Sequence, residues 1–246
     1  MRHVLIINPN TRQALTAQLV DQISQVLADT GLAVMGVTAP FGSDYIASEQ
    51  SYVVAAHAVL DAWQAHVIEH GLPRAVLVAC FGDPGVWALR ETTGVPVMGL
   101  AEAAMREADA LGPFAIVTGG AAWGPMLERL ARGLQLAGAG RLRWVRTVDA
   151  SGSQLASDAD AGLRAIAMAC EQVMADDAAH LAAHRIALGQ TPSGQAVSVR
   201  AGQPLASIIV GGAALGGWVP ALSSSCSGAS LIDSVQAGAR WLRQHG

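Results

Sequence analysis

Phosphate-binding signatures are missing from this chain. It has neither a G-x-G-x-x-G turn nor a G-x-x-x-x-G-K-[ST] loop, so neither a dinucleotide nor a nucleoside triphosphate is indicated. Charge is scarce as well: Asp, Glu, Lys and Arg make up 14% of the residues, and the net charge of −4 is scattered. Without a run of one sign to neutralise a row of phosphates or to dock on an anionic surface, nucleic acid and membrane are not expected partners. Gly, Pro, His or charge interrupts every apolar run well short of the roughly 18–20 residues of a membrane span. The histidines form no HExxH or clustered ligand pattern, and the i, i+4 pair His66 and His70 reads as a solvated helix face with no metal. Cysteine is limited to Cys80, Cys170 and Cys226, without CxxC spacing. That usage suits a reducing cytosol and a cytoplasmic protein with free thiols.

What the chain has is apolar residues, 52% of 246, enough for a substantial α/β core. The opening MRHVLIINPNT reads as a first buried strand and not as a signal peptide, because the apolar run stops at Asn8-Pro9-Asn10 with no small-residue cleavage site behind it. Short β-branched runs recur at 4–7, 33–37, 75–79, 114–118, 143–148 and 207–210, each bounded by Gly, Pro or polar residues. Segments with helical spacing lie between them, at 11–29, 44–70, 84–93, 101–111, 122–137 and 157–184. The alternation predicts an α/β fold with parallel-rich sheets flanked by helices.

A strand running into a small-residue turn and then a helix occurs twice, at 75–90 (AVLVACFGDPGVWALR) and at 207–222 (SIIVGGAALGGWVPAL). This echo predicts two similar lobes with the active site in the cleft between them. Residues 1–100 together with 216–246 are assigned to the lobe carrying Cys80, and 101–215 to the lobe carrying Gly212. The polar stretch 189–206 reads as a surface loop or short hairpin, with a lid as its functional alternative.

Cys80 closes an apolar strand just before Phe81-Gly82-Asp83-Pro84-Gly85, and the carboxyl ends of parallel strands are where ligands bind. The following helix is expected to draw the thiol pKa down toward neutrality and to offer N–H groups to a carboxylate or enolate oxygen. Buried packing is the alternative fate for such a thiol. Asp83, before Pro84, reads as the cap of that helix. Cys170 reads as helix packing, and Cys226, in a polar loop, as incidental unless it folds back to the cleft.

These residues together resemble the hydantoin and allantoin racemase branch of the aspartate/glutamate racemase superfamily. The resemblance runs through Ile7-Asn8-Pro9-Asn10-Thr11, Ala39-Pro40-Phe41-Gly42, Ala79-Cys80-Phe81-Gly82-Asp83-Pro84-Gly85 with Leu89-Arg90-Glu91, and Pro96–Ala103, the cysteine followed by FGDPG being the most specific. It implies a homo-oligomeric, cofactor-independent racemase acting on a small molecule, with neither metal nor pyridoxal phosphate. Two cysteines would stand on opposite faces of a stereocentre, Cys80 being the first. The resemblance further implies a pocket formed by Asn8, Phe41, Phe81, Gly82, Asp83, Thr118, Gly119, Gly120, Gly211 and Ala213. Where the family has its second cysteine, in a pattern close to I-V-L-G-C-A-G-M, this chain has Gly212.

Glycine has no proton to give, so the symmetrical two-thiol mechanism does not carry over. Three readings follow. One is a racemase or epimerase of a hydantoin-like or amino-acid-like substrate, with water, Cys226 or a serine serving the second face. Another is a one-thiol decarboxylase or isomerase, for which arylmalonate decarboxylase, with its single thiol in the other half, looks like a precedent. The third is a ligand-binding homologue that has lost catalysis. A thiol placed at 212 is expected to create inversion, provided the backbone there admits a side chain.

Overall fold

The computed structural model describes residues 2–138, 140–190, 202–223, 226 and 228–246. The core of the 189–206 stretch lies outside them. Strands β1 (His3–Asn8), β2 (Ala33–Thr38), β3 (Val76–Val78) and β4 (Val97–Gly99) form one sheet; β5 (Phe114–Gly119), β6 (Leu142–Val148), β7 (Ser207–Gly211) and β8 (Ser230–Asp233) form the other. Every pairing is parallel. The two sheets have the same order, β2-β1-β3-β4 and β6-β5-β7-β8, so β3 and β7 are equivalent strands. The sequence echo at 75–90 and 207–222 is the trace of that equivalence.

Alternation along the strands explains how the layers stack, since successive side chains leave a strand on opposite faces. Val4 and Ile6 of β1, Leu77 of β3, Phe114 and Ile116 of β5 and Ile209 of β7 all enter one central core between the sheets. Leu5, Ile7, Val76 and Val78 go instead to a core on the far side of the first sheet, and Ala115, Val117, Ile208 and Val210 to a core on the far side of the second. Both faces are buried, so these strands are continuous apolar runs. Each fully buried Val, Leu or Ile contributes about 1.5–3 kcal/mol.

Helices α1 (Gln13–Val26), α4 (Leu100–Leu111), α5 (Trp123–Gly133) and α9 (Ser234–His245) contribute to the central core. The outer layers are α2 (Glu49–His70) and α3 (Val86–Thr92) over the first sheet, and α6 (Gly152–Ser157), α7 (Ala159–Gln190) and α8 (Val219–Leu222) over the second. Among the described residues no helix is long and apolar enough to cross a membrane.

The expected assignment of 216–246 to the Cys80 lobe needs correction. β8 hydrogen-bonds to β7 in the second sheet, while α9 returns to pack on α1 and α4. Four residues of strand were too short a run to register in the sequence. His66 also departs from expectation: it is 6% exposed, and its Nε2 lies 3.0 Å from Nε2 of His3. The helix face that carries it is turned inward at that level, and burial holds its pKa down at about 4, with the His3 and His70 charges adding to the effect.

Candidate active site

Equivalent strand ends converge on one cavity of about 70 Å³ between the lobes, room for a small molecule. Cys80, after β3, and Gly212, after β7, both line it. So do Phe81, Thr118, Gly119, Gly211 and Ala213 among the residues the resemblance implied.

Cys80 is held by a tight turn. The N–H groups of Gly82 and Asp83 donate to its carbonyl at 2.9 and 3.1 Å, and Asp83 takes a left-handed φ of 60° to close the turn. Phe81 then reaches across the cleft onto Gly211, where a Cβ would stand only 2.2 Å from the ring. That glycine is required by close approach, and it brings the two strand ends together.

Asp83 does not cap α3. Its carboxylate oxygens accept from the N–H groups of Ala101 (2.9 Å) and Glu102 (2.8 Å), at the start of α4. The turn bearing Cys80 is thereby pinned to the central helix layer. Burial pushes Asp83 up to about 7 against the pull of those two donors. Beside it, the buried Glu102 pairs with Arg90 and Arg106, both at 2.7 Å.

The expected fall in the Cys80 pKa is also corrected. Burial pushes the thiol up, and the Asp83 charge adds to the shift. The helix that was to lower it begins only at Val86, behind a left-handed Gly85, while the sulfur-bearing residue is 8% exposed. The resting state is the neutral thiol.

Gly212 has φ 145° and ψ 132°, a backbone conformation that L residues rarely adopt, and a Cβ there would meet the Leu215 side chain at 3.2 Å. Its N–H donates to the buried Ser234 hydroxyl at 3.2 Å. A side chain at this position would therefore be strained, where glycine is not.

Other residues implied by resemblance stand off the wall. Asn8 is fully buried, and its Nδ2 lies 3.0 Å from Asn10 Oδ1, 3.1 Å from the Arg12 carbonyl and 3.0 Å from Thr16 Oγ1. It braces the β1–α1 loop, whose Asn10 and Arg12 line the cavity instead. Phe41 is 36% exposed, edge-on to His57. Gly82 lies under the Trp123 ring, and Gly120 against the Tyr45 hydroxyl.

Sequence reading missed Asn10, Arg12, Asp44, Tyr45, Trp123 and Ser153 on the wall. The first two sit in the same INPNTR segment as Asn8, so the motif pointed to the right loop and the wrong amide. Asp44 and Tyr45 come from the loop after β2. Tyr45 crosses the cleft and donates to the Gly119 carbonyl at 3.4 Å.

The other two thiols are elsewhere. Cys170 and Cys226 are buried together in the outer core of the second lobe, and burial pushes both up. Neither lines the cavity.

Paired lobes of equivalent topology, closing on a cavity at their strand ends, define a two-lobed α/β protein with its cavity at the carboxyl ends of parallel strands, where ligands bind in such folds. Residues 4–204 match the Asp/Glu/Hydantoin racemase family, and the chain belongs to it. It is 27% identical over 243 residues to a hydantoin racemase of Paenarthrobacter aurescens, covering 96% of this chain and 88% of that one. Its fold is similar to that of allantoin racemase from Pseudomonas fluorescens, with a TM-score of 0.76 and 23% identity over 98% of this chain and 89% of the other. A glycine-to-cysteine mutant of arylmalonate decarboxylase shares the fold more distantly, with a TM-score of 0.58 and 16% identity over 99% and 94% of the two chains.

Proposed function

We propose that this chain is an enzyme of the family that handles a carbanion beside a carbonyl with one thiol, Cys80, working from one face only. The observation that carries the reading is the pairing of Cys80 with Gly212. The two end equivalent strands on one cavity, and Gly212 presents no side chain to the second face, its backbone being one that a side chain would strain.

The neutral resting thiol supports the role of acid. In decarboxylation the Cα–carboxyl bond breaks, carbon dioxide leaves, the electron pair delocalises into the adjacent carbonyl, and Cys80 S–H donates its proton to Cα, the thiolate then recovering a proton from solvent. In exchange Cys80 first loses its proton to solvent, the thiolate takes the proton from Cα–H as that electron pair delocalises, and the thiol, after trading its proton with solvent, returns one to the same face. Buried, fixed donors suit such a step because they need no reorganisation. Thr118, on the wall and with its hydroxyl making no hydrogen bond among the described residues, is a spare donor for the enolate oxygen.

Racemisation of a hydantoin-like or amino-acid-like substrate remains the second reading, supported by the 27% identical hydantoin racemase. It requires water or a cavity side chain other than cysteine on the Gly212 face. A catalytically impaired binding homologue is disfavoured by the pinned Cys80 turn.

Proton NMR in deuterium oxide with chiral hydantoins, amino acids and arylmalonates tests the proposal. Stereospecific deuterium incorporation, with or without loss of carbon dioxide, is expected. Absence of exchange and of decarboxylation across the panel would refute it.

A further inference from the structure

The charge on the cavity wall bears on what the substrate carries. Cys80 is a neutral thiol there, and the cationic side chain on the wall is Arg12, from the β1–α1 loop. Arg12 is exposed, and its guanidinium makes no hydrogen bond or ion pair among the described residues. It is not an idle surface charge by position, because the loop that bears it is braced at several points. Asn8 Nδ2 lies 3.1 Å from the Arg12 carbonyl, the Arg12 N–H donates to Asn10 Oδ1 at 3.0 Å, and Thr11 N–H donates to Ser43 O at 3.2 Å.

The same bracing orients a second donor. Asn10 is 9% exposed, and its Oδ1 is occupied by Asn8 Nδ2 and by the Arg12 N–H. Its Nδ2 has no partner among the described residues, and Asn10 lines the cavity. An amide whose oxygen is fixed by two donors has its nitrogen left to donate to an acceptor. With Arg12 on the same cavity wall, the acceptor that uses both side chains is a carboxylate, which takes parallel N–H bonds from arginine and a further one from the amide.

A neutral ring amide would leave the cation unused. Asp44, on the neighbouring loop one residue past the Thr11–Ser43 tie, is likewise without a partner among the described residues and sets an upper limit on negative charge. A dianion would meet it unfavourably.

We infer that Arg12 and Asn10 form a recognition site for a substrate carboxylate in the Cys80 cavity, so that the substrate class is a small monocarboxylate and not a neutral hydantoin. This rests on the reading of the cavity as the site of reaction, and its test is kept separate from that reading. Binding is measured calorimetrically to the Cys80→Ala protein, with the probes recovered and checked unchanged by NMR after each titration. The probes are matched pairs: methyl- and benzyl-substituted hydantoins, and their ring-opened carboxylates N-carbamoylalanine and N-carbamoylphenylalanine.

The carboxylate of at least one pair is expected to bind more tightly than its neutral ring. Arg12→Gln is expected to weaken that binding roughly 10–100-fold, the range for losing a charge-assisted hydrogen-bonded pair, with Arg12→Lys falling in between. The neutral rings should not respond to either substitution. Tighter binding of the rings, carboxylate binding indifferent to Arg12→Gln, or no carboxylate binding at all would overturn the inference. None of these outcomes depends on whether Cys80 transfers a proton, which is read separately as deuterium exchange in the wild type.

Discussion

Cys80 and Gly212 stand at the ends of equivalent central strands, each the third in its own lobe's chain order, and line the same cavity. One position carries a thiol held neutral by burial, and the other has a backbone that admits no side chain without strain.

Removing the thiol should remove the chemistry and little else. Cys80→Ala is expected to lower Cα exchange by ~10²–10⁴-fold, the usual contribution of a positioned acid or base, while circular dichroism and the melting temperature stay close to wild type. Retained exchange in this variant would move the acid to another residue.

Gly212 makes a stability prediction that replaces the simple expectation of gained inversion. Gly212→Ala and Gly212→Cys should each cost about 1–3 kcal/mol, because φ near 145° is unfavourable for any L residue and Leu215 must give way. Chemical denaturation measures this directly. Wild-type stability in Gly212→Ala would mean that the turn relaxes freely and that a thiol could be restored there.

The two remaining thiols supply a control. Cys226→Ser should leave Cα exchange unchanged, since Cys226 packs against Cys170 in the outer core. It should lower stability by about 1–3 kcal/mol, the cost of burying a hydroxyl where a soft thiol packed. Loss of exchange would instead make Cys226 the second acid.

Much of this arrangement was legible in the chain, for identifiable reasons. β1, β3, β5 and β7 are buried on both faces and therefore stand out as unbroken apolar runs, and the FGDPG turn marks the end of β3. β3 is as short as β4, but Ala75 and Ala79 extend it into a five-residue apolar run. β4 lies between Pro96 and the start of α4, and β8 begins with Ser230 and ends with Asp233, so neither stands out, nor does α9 behind β8. The site was legible where it follows a strand end, at Cys80, Thr118, Gly119 and Gly212. It was not legible where loops from separate strands meet, as Arg12, Asp44 and Tyr45 do, because no local spacing encodes that meeting. The Cys80 pKa was misjudged for a related reason: sequence locates a nearby helix but not the burial that outweighs it.

Asp83 offers a test of that electrostatic reading. Its anion helps hold the Cys80 thiol up, so Asp83→Asn should lower the Cys80 pKa, seen as faster alkylation by iodoacetamide at a fixed alkaline pH. Burial is the larger cause and persists, so the thiol should stay above its ordinary value. The variant should also lose about 1–3 kcal/mol, because an amide cannot accept from both Ala101 and Glu102 N–H groups through two oxygens. An unchanged alkylation rate would contradict the coupling.

Acid sensitivity should trace in part to His66. Its folded pKa of about 4 lies below the ordinary 6.5, so between those values the unfolded chain binds more protons and stability falls as the pH drops through that window. The groups facing it are His3, His70 and Glu69. His66→Gln should reduce the loss of melting temperature between neutral pH and the lower end of the window. An equal loss in both proteins would assign the sensitivity elsewhere.

The central claim, one thiol serving one face, is tested most directly by following a single enantiomer of a turned-over substrate in deuterium oxide, with exchange read by NMR and inversion by polarimetry in the same sample. The account predicts that Cys80-dependent exchange outruns inversion at least ~10-fold, because the second face lacks a positioned donor of the kind that contributes ~10²-fold or more. Inversion keeping pace with exchange, and lost in Cys80→Ala, would place a second acid opposite Cys80 and contradict it.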